Sequence, residues 1–332
     1  TWPMFVGPYA ALNNPAFFGE SELTLSWGGI YRRKLAVVMD PIERIKPEKD
    51  GTLDLMLSAQ SFGYDLTRFH TEQLRIIDGK PLGAGRSVTV SDDENSWFTY
   101  GSENEYCLND FDVILMRKDP PFDMEYIYST YILDLAKMNG VKVINDPAAI
   151  RSLNEKVSIT MFPNVTPPTM VTSNQNDLRS FLDDQKKIVV KPLERMGGRS
   201  NFIVEKGEQN TNTIFEEMTR NDKKTIMAQK YIPEIIDGDK RIHLVFGNHV
   251  GMSLARVPSK DDHRGNLVMG AKGEVRQLTE RDQEICGAIG ERLLKAGVYF
   301  AGIDVIGDYL SEINITSPTG MREISKKSEV NV

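Results

Sequence analysis

Cysteine is scarce in this chain: Cys107 and Cys286 are the two in 332 residues, far apart and in no metal-binding spacing. That count excludes a disulfide framework and fits a reducing compartment, so a cytoplasmic location is expected. Histidine is also sparse. His70, His243, His249 and His263 form no H-x-H or H-E-x-x-H pattern, which speaks against zinc. Lys and Arg (40) are outnumbered by Asp and Glu (47), giving a net charge of −7. The chain as a whole therefore shows no nucleic-acid bias, and nucleic acid is not an expected partner. No apolar run approaches the roughly 20 residues of a membrane span, so no membrane partner is expected either. There is no G-x-x-x-x-G-K-[ST] and no complete G-x-G-x-x-G, so P-loop and dinucleotide-binding readings are poor. No Ser-His-Asp or Cys-His arrangement can be argued, which disfavours a protein nucleophile.

What is there is ordinary globular material, 40% hydrophobic and 26% charged, long enough for two or three domains. Residues 1–33 are rich in Pro, Gly, Asn and aromatics and lack a basic start followed by an apolar run. They read as an irregular N-terminal extension, not a secretory signal. From 34 to 150 the texture alternates. "KLAVVMDP" (34–41) and "DVILMRKDPP" (112–121) read as buried strands, "VKVINDP" (141–147) as a third. Helices are predicted over 52–64, stopped by Gly63, and over 125–140, closed by Gly140. Such alternation argues for a doubly wound α/β domain, whose ligand groups gather beyond the carboxyl ends of strands. Asp40 and the run Arg117-Lys118-Asp119 sit at such ends.

The pattern changes from about 151. "SLNEKVSITMF" reads as helical, "KKIVVKPLERMGGRSNFIVEK" as strand, glycine-rich loop and strand, and "KTIMAQKYIP" as a strand running into Pro233. "GDKRIHLVFGNHVGMSLARVP" reads as a hairpin turning at Gly247-Asn248, and residues 257–272 as a polar, glycine-punctuated mobile loop. An amphipathic helix with Thr279 as N-cap follows.

Several constellations here carry chemistry. Lys191 stands in the apolar strand "IVVKP" ahead of Gly197-Gly198. Loop N–H groups and a strand lysine suit phosphate oxygens, though taken alone an edge-strand lysine beside a hairpin loop is the better reading. Lys156 in "NEK" is a second buried-looking cation or a solvated helical lysine. Arg241 and Arg256 fall inside alternating strands and Arg264 lies in the glycine-punctuated loop. They are surface charges or bidentate holders of carboxylate and phosphoryl oxygens. The stretch "AGIDVIGDYLSEINITSP" (301–318) alternates like a hairpin, with Ile303, Val305, Ile313 and Ile315 on one face. The other face carries Asp304, Glu312 and Asn314. If Gly307-Asp308-Tyr309 is the connection, positions 304 and 312 lie directly across from each other. Two carboxylates and an amide suit a hard cation such as Mg²⁺, with a chance polar face as the alternative.

The order of these parts resembles the ATP-grasp superfamily and, within it, prokaryotic-type glutathione synthetases. "VVMDPI", "MRKDPPFD", "SLNEK", "VVKPL", "DGDKRI", "LARVP", "RGNL" and "GIDVIGDYLSEINITSPT" carry the resemblance, from about Lys34 to Glu323. It implies a pre-ATP-grasp α/β domain over 34–150, then a two-lobed α+β ATP-grasp domain: a small lobe over 151–232 and a large lobe over 233–332. The implied reaction joins γ-glutamylcysteine and glycine with ATP through an acyl phosphate, using Mg²⁺ or Mn²⁺. Lys156 and Lys191 would contact the ATP phosphates under Gly197 and Gly198. Gln229, Tyr231 and Ile232 would line the adenine, and Asp239 would lie near the nucleotide. Asp304, Glu312 and Asn314 would hold the metal, and Arg241, Arg256 and Arg264 would serve the reacting groups. Asp40, Arg117, Ser317 and Thr319 would lie on the peptide-substrate side. A homo-tetramer is implied as well.

The chain departs from that pattern at Arg195 and Arg199 in the glycine loop and at Lys272 in place of an arginine. The family pattern also continues into a terminal helix where this chain reads "SEVNV". A related ligase for another amino-acid or peptide pair, and a nucleotide-binding protein without turnover, are the rival expectations.

Overall fold

A computed structural model describes residues 32–194, 201–258 and 272–328 of the protein. The expectations for residues 1–31, Arg195, Gly197, Gly198, Arg199 and Arg264 lie outside the described residues.

The first sheet has a parallel centre in the order β2 (Asp65–Phe69), β1 (Lys34–Val38), β6 (Val113–Met116), β7 (Lys142–Ile144). Alternate residues of β1 point to opposite faces, and both faces are covered. Leu35 and Val37 pack with Leu53 and Met56 of helix α1 (Gly51–Ser61). Ala36 and Val38 pack with Tyr126, Leu133 and Ala136 of α2 (Met124–Met138). A strand covered on both faces must be apolar throughout, which is why "LAVV" is a continuous run. Asp50 and Asp123 cap the two helices, accepting from Leu53 N at 2.8 Å and Tyr126 N at 3.0 Å.

Beyond β2 the sheet continues antiparallel through β4 (Lys80–Val90), which pairs with both β3 (Leu74–Ile77) and β5 (Phe98–Cys107). The sequence pattern had not indicated this extension. Gly85 belongs there for a steric reason: a Cβ on it would stand 2.5 Å from the buried Phe69 ring.

A second, four-stranded antiparallel sheet runs β10 (Phe202–Glu205), β9 (Lys187–Pro192), β11 (Ile226–Lys230), β8 (Thr169–Thr172). In the chain, α3 (Pro147–Ser152) follows β7 and packs with α2. Helices α4 (Gln175–Gln185) and α5 (Thr211–Thr219) bury Leu178, Phe181 and Phe215 against Ile188 and Val190 on one face. The stretch containing Lys156, expected to be helical, is instead a turn followed by a 3₁₀ segment at Val157–Met161. Asn154 Oδ1 accepts from Lys156 N and Val157 N, both at 3.0 Å. That local bond replaces the continuing α-helical ladder.

The third sheet runs β14 (Lys272–Gln277), β13 (Asn248–Val257), β12 (Asp239–Val245), β15 (Phe300–Ile306), β16 (Tyr309–Asn314), all antiparallel. Its apolar face packs under α6 (Glu280–Lys295), with Ile242, Leu244, Ile303, Val305, Leu310 and Ile313 meeting Ile285, Ile289 and Leu293. Thr279 caps α6 as expected, in a reciprocal box with Asp282. The β12–β13 turn is Phe246-Gly247, one residue earlier than expected, since Val245 pairs with Asn248. Both turn residues have positive φ, 51° and 76°, as a type I′ hairpin demands. A short helix, α7 (Met321–Lys327), closes the described chain and packs with α1, β13 and β14.

Candidate active site

The polar face of the five-stranded sheet is built by register. Asp239 lies opposite Arg256, Arg241 opposite Asp304, Asp304 opposite Glu312, and Gly302 opposite Asn314. The expected pairing of 304 with 312 is present, reached by another route. The connection is only Gly307-Asp308, and a bulge at Ser311 restores the step. Leu310 therefore faces the apolar core while Glu312, two residues on, faces the polar side. Ser311 Oγ donates to the Asp304 carbonyl at 3.1 Å. Gly302 leaves room on this face; a Cβ there would stand 2.6 Å from Pro318 and 2.9 Å from Arg241.

Asp304 is the hub. Arg241 Nε and Nη2 donate to its two oxygens at 2.5 and 3.0 Å, and Arg256 Nη2 lies 3.0 Å from Oδ2. Asn314 Nδ2 donates to the same oxygen at 3.3 Å, and Arg256 Nη2 reaches Asp239 Oδ2 at 2.5 Å. Burial opposes ionisation of Asp304, but the two guanidiniums outweigh it and hold the carboxyl well below the usual range. Burial dominates at Asp239 and pushes it up to about 7, against the pull of Arg256. Among the described residues, Asp239 Oδ1 and Arg256 Nε have no hydrogen-bond partner. Buried orphans of this kind are rare and call for a ligand or water.

Two lysines face the same place, one from the four-stranded sheet and one from the turn ahead of it. Lys191 is buried on the face of β9 away from α4, and Lys156 is buried in the turn, paired with Glu155. Burial lowers the basicity of Lys191, with Glu312 opposing it. At Lys156 burial also works against charge, yet Glu312 and Glu155 prevail and raise it. Both ammonium groups thus sit within the field of Glu312, across from the hairpin. Ile313 N donates to the Glu155 carbonyl at 2.8 Å, tying the lysine turn to the hairpin.

A third group reaches in from the first sheet. Asp40 accepts from Lys118 Nζ at 2.7 Å and Asp119 N at 2.9 Å, and Asp119 in turn accepts from Ser317 Oγ. Arg117 donates to Thr52 Oγ1 at 3.1 Å, the Thr316 carbonyl at 3.4 Å and the Pro318 carbonyl at 3.3 Å. Thr319 is exposed, and its carbonyl accepts from Arg241 Nη1 at 3.1 Å. One network therefore runs from Asp40 through Ser317 and Thr319 to Asp304.

Gln229, Tyr231 and Ile232 stand apart from this cluster on β11 and just after it. Gln229 Nε2 donates to Thr169 Oγ1 at 3.1 Å, and Lys187 Nζ sits 4.8 Å from the Tyr231 ring centre. Lys272 is exposed, 3.2 Å from Glu274. Sequence reasoning assigned no role to Asp119, Glu155, His243 or Asn145. Asn145 links the first sheet to the third, donating to Phe300 O at 2.6 Å and Ile315 O at 2.7 Å and accepting from Tyr299 N at 2.8 Å. Asp119 was signalled by its place at a strand's carboxyl end, and Glu155 only by standing beside Lys156 in "NEK".

The N-terminal domain description of prokaryotic glutathione synthetase matches residues 34–151, and its ATP-grasp domain description matches residues 155–329. The chain belongs to the prokaryotic glutathione synthetase family. The glutathione synthetase of Coxiella burnetii is 44% identical over 299 residues, covering 90% of this chain and 93% of its own. That of Pseudomonas aeruginosa is also 44% identical over 299 residues, covering 90% and 94%. Among solved structures, a D-cycloserine synthetase superposes with a TM-score of 0.59 at 13% identity, covering 86% of this chain and 92% of that one. The D-alanyl-alanine synthetase A of Vibrio cholerae gives 0.53 at 12% identity, covering 87% and 91%. Those likenesses concern the fold: an α/β N-terminal domain followed by an ATP-grasp domain. Among the described residues no helix is long and apolar enough to cross a membrane.

Proposed function

We propose that this chain joins γ-glutamylcysteine to glycine at the expense of ATP, releasing glutathione, ADP and phosphate, with the residues above in the roles their positions suit. The observation that carries the assignment of roles is the convergence of Lys156, Lys191, Arg256 and Asp304 on Glu312, with orphaned Arg256 Nε and Asp239 Oδ1 beside them. Two lysines and an arginine facing carboxylates suit a polyphosphate. Gln229, Tyr231 and Ile232 would flank the adenine at the junction of the two sheets.

The donor set of Asp304, Glu312 and Asn314 fits a hard divalent cation. The Asn314 amide oxygen would be the third donor beside the two carboxylates. These three would hold Mg²⁺ or Mn²⁺, which would offset the negative charge of phosphate oxygens.

A carboxylate acylates poorly, so the γ-phosphoryl passes first to the cysteinyl carboxylate, breaking the bond to ADP and forming an acyl phosphate. The glycine amine then attacks the acyl carbon, loses a proton, and phosphate departs. Lys191 and Lys156 would hold the phosphates while Arg241, Arg256 and Arg264 orient the carboxylate and the transferring group. Asp40, Arg117, Ser317 and Thr319 would frame the peptide. Closure of the small lobe over the large lobe would exclude water from the acyl phosphate. The free cysteines Cys107 and Cys286 suit a cytoplasmic enzyme, and the active form would be a homo-tetramer.

Coupled measurement of ADP release tests the reaction. It should require both γ-glutamylcysteine and glycine; release that depends on neither sinks the proposal, and turnover with another acceptor in place of glycine moves it to a related ligase.

A further inference from the structure

The hairpin of β15 and β16 runs out into a strap that is held from another domain. The β15–β16 ladder stops where Gly302 lies opposite Asn314. Residues 315–319 continue outside any strand or helix. Their polar groups are taken up, one after another, by side chains. The Ile315 carbonyl accepts from Asn145 Nδ2 at 2.7 Å, and the Thr316 and Pro318 carbonyls accept from Arg117 at 3.4 and 3.3 Å. Ser317 Oγ, between them, donates to Asp119. At Thr319, whose carbonyl accepts from Arg241 at 3.1 Å, the third sheet takes over. The run Ile315 to Pro318, which leaves the large lobe, is thus fixed from the first domain.

Asn145, just past β7, is 4% exposed, and its amide is fully used. Nδ2 donates to the Phe300 and Ile315 carbonyls, and Oδ1 accepts from Tyr299 N at 2.8 Å and Phe300 N at 2.9 Å. Two donors and two acceptor sites are all that an amide has, so none is left for a substrate. These bonds reach both strands of the hairpin just past the last rung of their own ladder. Arg117 is 5% exposed, and its guanidinium lies 5.3 Å from the Phe300 ring centre. Its fork spans the two carbonyls that flank Ser317. Packing alone does not fix the strap, because a cavity bordered by Leu55, Ile144, Phe246, Tyr299 and Thr316 adjoins it. Atoms beside a void lack contacts on that side, which leaves the hydrogen bonds to set the strap's position.

We infer that Asn145 and Arg117 are positioning residues: they set the strap, and the strap sets Ser317 against the peptide. The inference rests on the functional reading for the identity of that peptide. Glu312 and Asn314, by contrast, keep their places through the ladder with β15. Loosening the strap therefore shifts the peptide side and leaves the nucleotide side in place, a separation that general loss of structure would not produce.

Full-length wild-type, Asn145→Ala and Arg117→Lys proteins are compared by hydrogen exchange and steady-state kinetics. Lysine keeps the charge but cannot fork across two carbonyls, so it carries the test if the alanine variant fails to fold. Amides of 316–320 should exchange at least ~10-fold faster in either variant, with those of 301–306 unchanged. KM for γ-glutamylcysteine should rise at least ~10-fold, with KM for ATP within about twofold of wild type. Ser317→Ala completes a cycle. If Asn145 acts through Ser317, adding Asn145→Ala to that variant should change kcat/KM for the peptide by less than ~3-fold. Unchanged exchange in both variants, equal rises in the two KM values, or effects that multiply in the cycle would each overturn the inference. A wild type that turns over neither substrate, with the strap still loosened in the variants, would remove the reaction and leave the clamp.

Discussion

The two faces of the five-stranded sheet are made by the same strands, one residue out of step. Ile303 and Asp304 are neighbours; one is sealed under α6 and the other is held by two arginines. The apolar face needs only volume and shape, so it gains from area removed from water. The polar face holds buried charges whose desolvation is offset only while every partner is in place. The first face can bear that cost, because both faces belong to one rigid ladder. Function is built here on strands that another surface stabilises.

Substitutions on each side sharpen that contrast. Asp304→Ala should hurt both properties: Arg241 and Arg256 would be left buried and uncompensated, at a cost of ~3–5 kcal/mol in a urea titration, and ligase turnover should vanish. Near-wild-type stability would show that the arginines find other partners. Ile303→Ala should lower stability by ~2–5 kcal/mol while turnover per folded molecule stays close to wild type; a large loss of turnover would mean the faces are not separable. Glu312→Gln should do the reverse, cutting turnover at least ~100-fold with a thermal midpoint within a few degrees of wild type. Unchanged activity would remove Glu312 from the metal role.

The smallest effect concerns His243, buried on the polar face among Arg241, Arg117 and Asp304 and stacked 5.7 Å from Phe300. Burial and the two arginines depress it to about 3. When unfolded it titrates near ~6.5, so below that pH the unfolded chain binds the extra proton. Its contribution is present at neutral pH and fades as pH falls, by ~2 kcal/mol between pH 7 and 5. His243→Leu should flatten that part of the stability profile; equal slopes in both proteins would exclude the histidine.

The sequence made the doubly wound centre legible because a strand covered on both faces must be apolar throughout, as "LAVV" is. The hairpin was legible because Ile303 and Val305 alternate with Asp304 before the turn, and Ile313 and Ile315 with Glu312 and Asn314 after it, although the bulge at Ser311 between them was not. The β2–β5 extension was not. Gly83, Gly85 and Arg86 break any apolar run in β4, and what fixes the two glycines is the Phe69 ring, which only the fold brings near. Lys156 was open between a buried cation and a solvated helical lysine; it is buried, and in a turn instead of a helix, since the Asn154 side chain decides locally what periodicity cannot. The convergence of Lys156 and Lys191 on Glu312 lay beyond any spacing argument, because three separate chain segments meet there.

The bulge at Ser311 has a last consequence. It means that the position of Glu312 is indexed from its pairing with β15, not counted outward from the turn. The seven residues between Asp304 and Glu312 are therefore an accident of how one loop and one bulge add up. A relative could gain or lose a residue there, absorb it in the ladder, and keep the same floor. Spacing is the ruler a sequence offers, and at this hairpin the molecule measures with a different one.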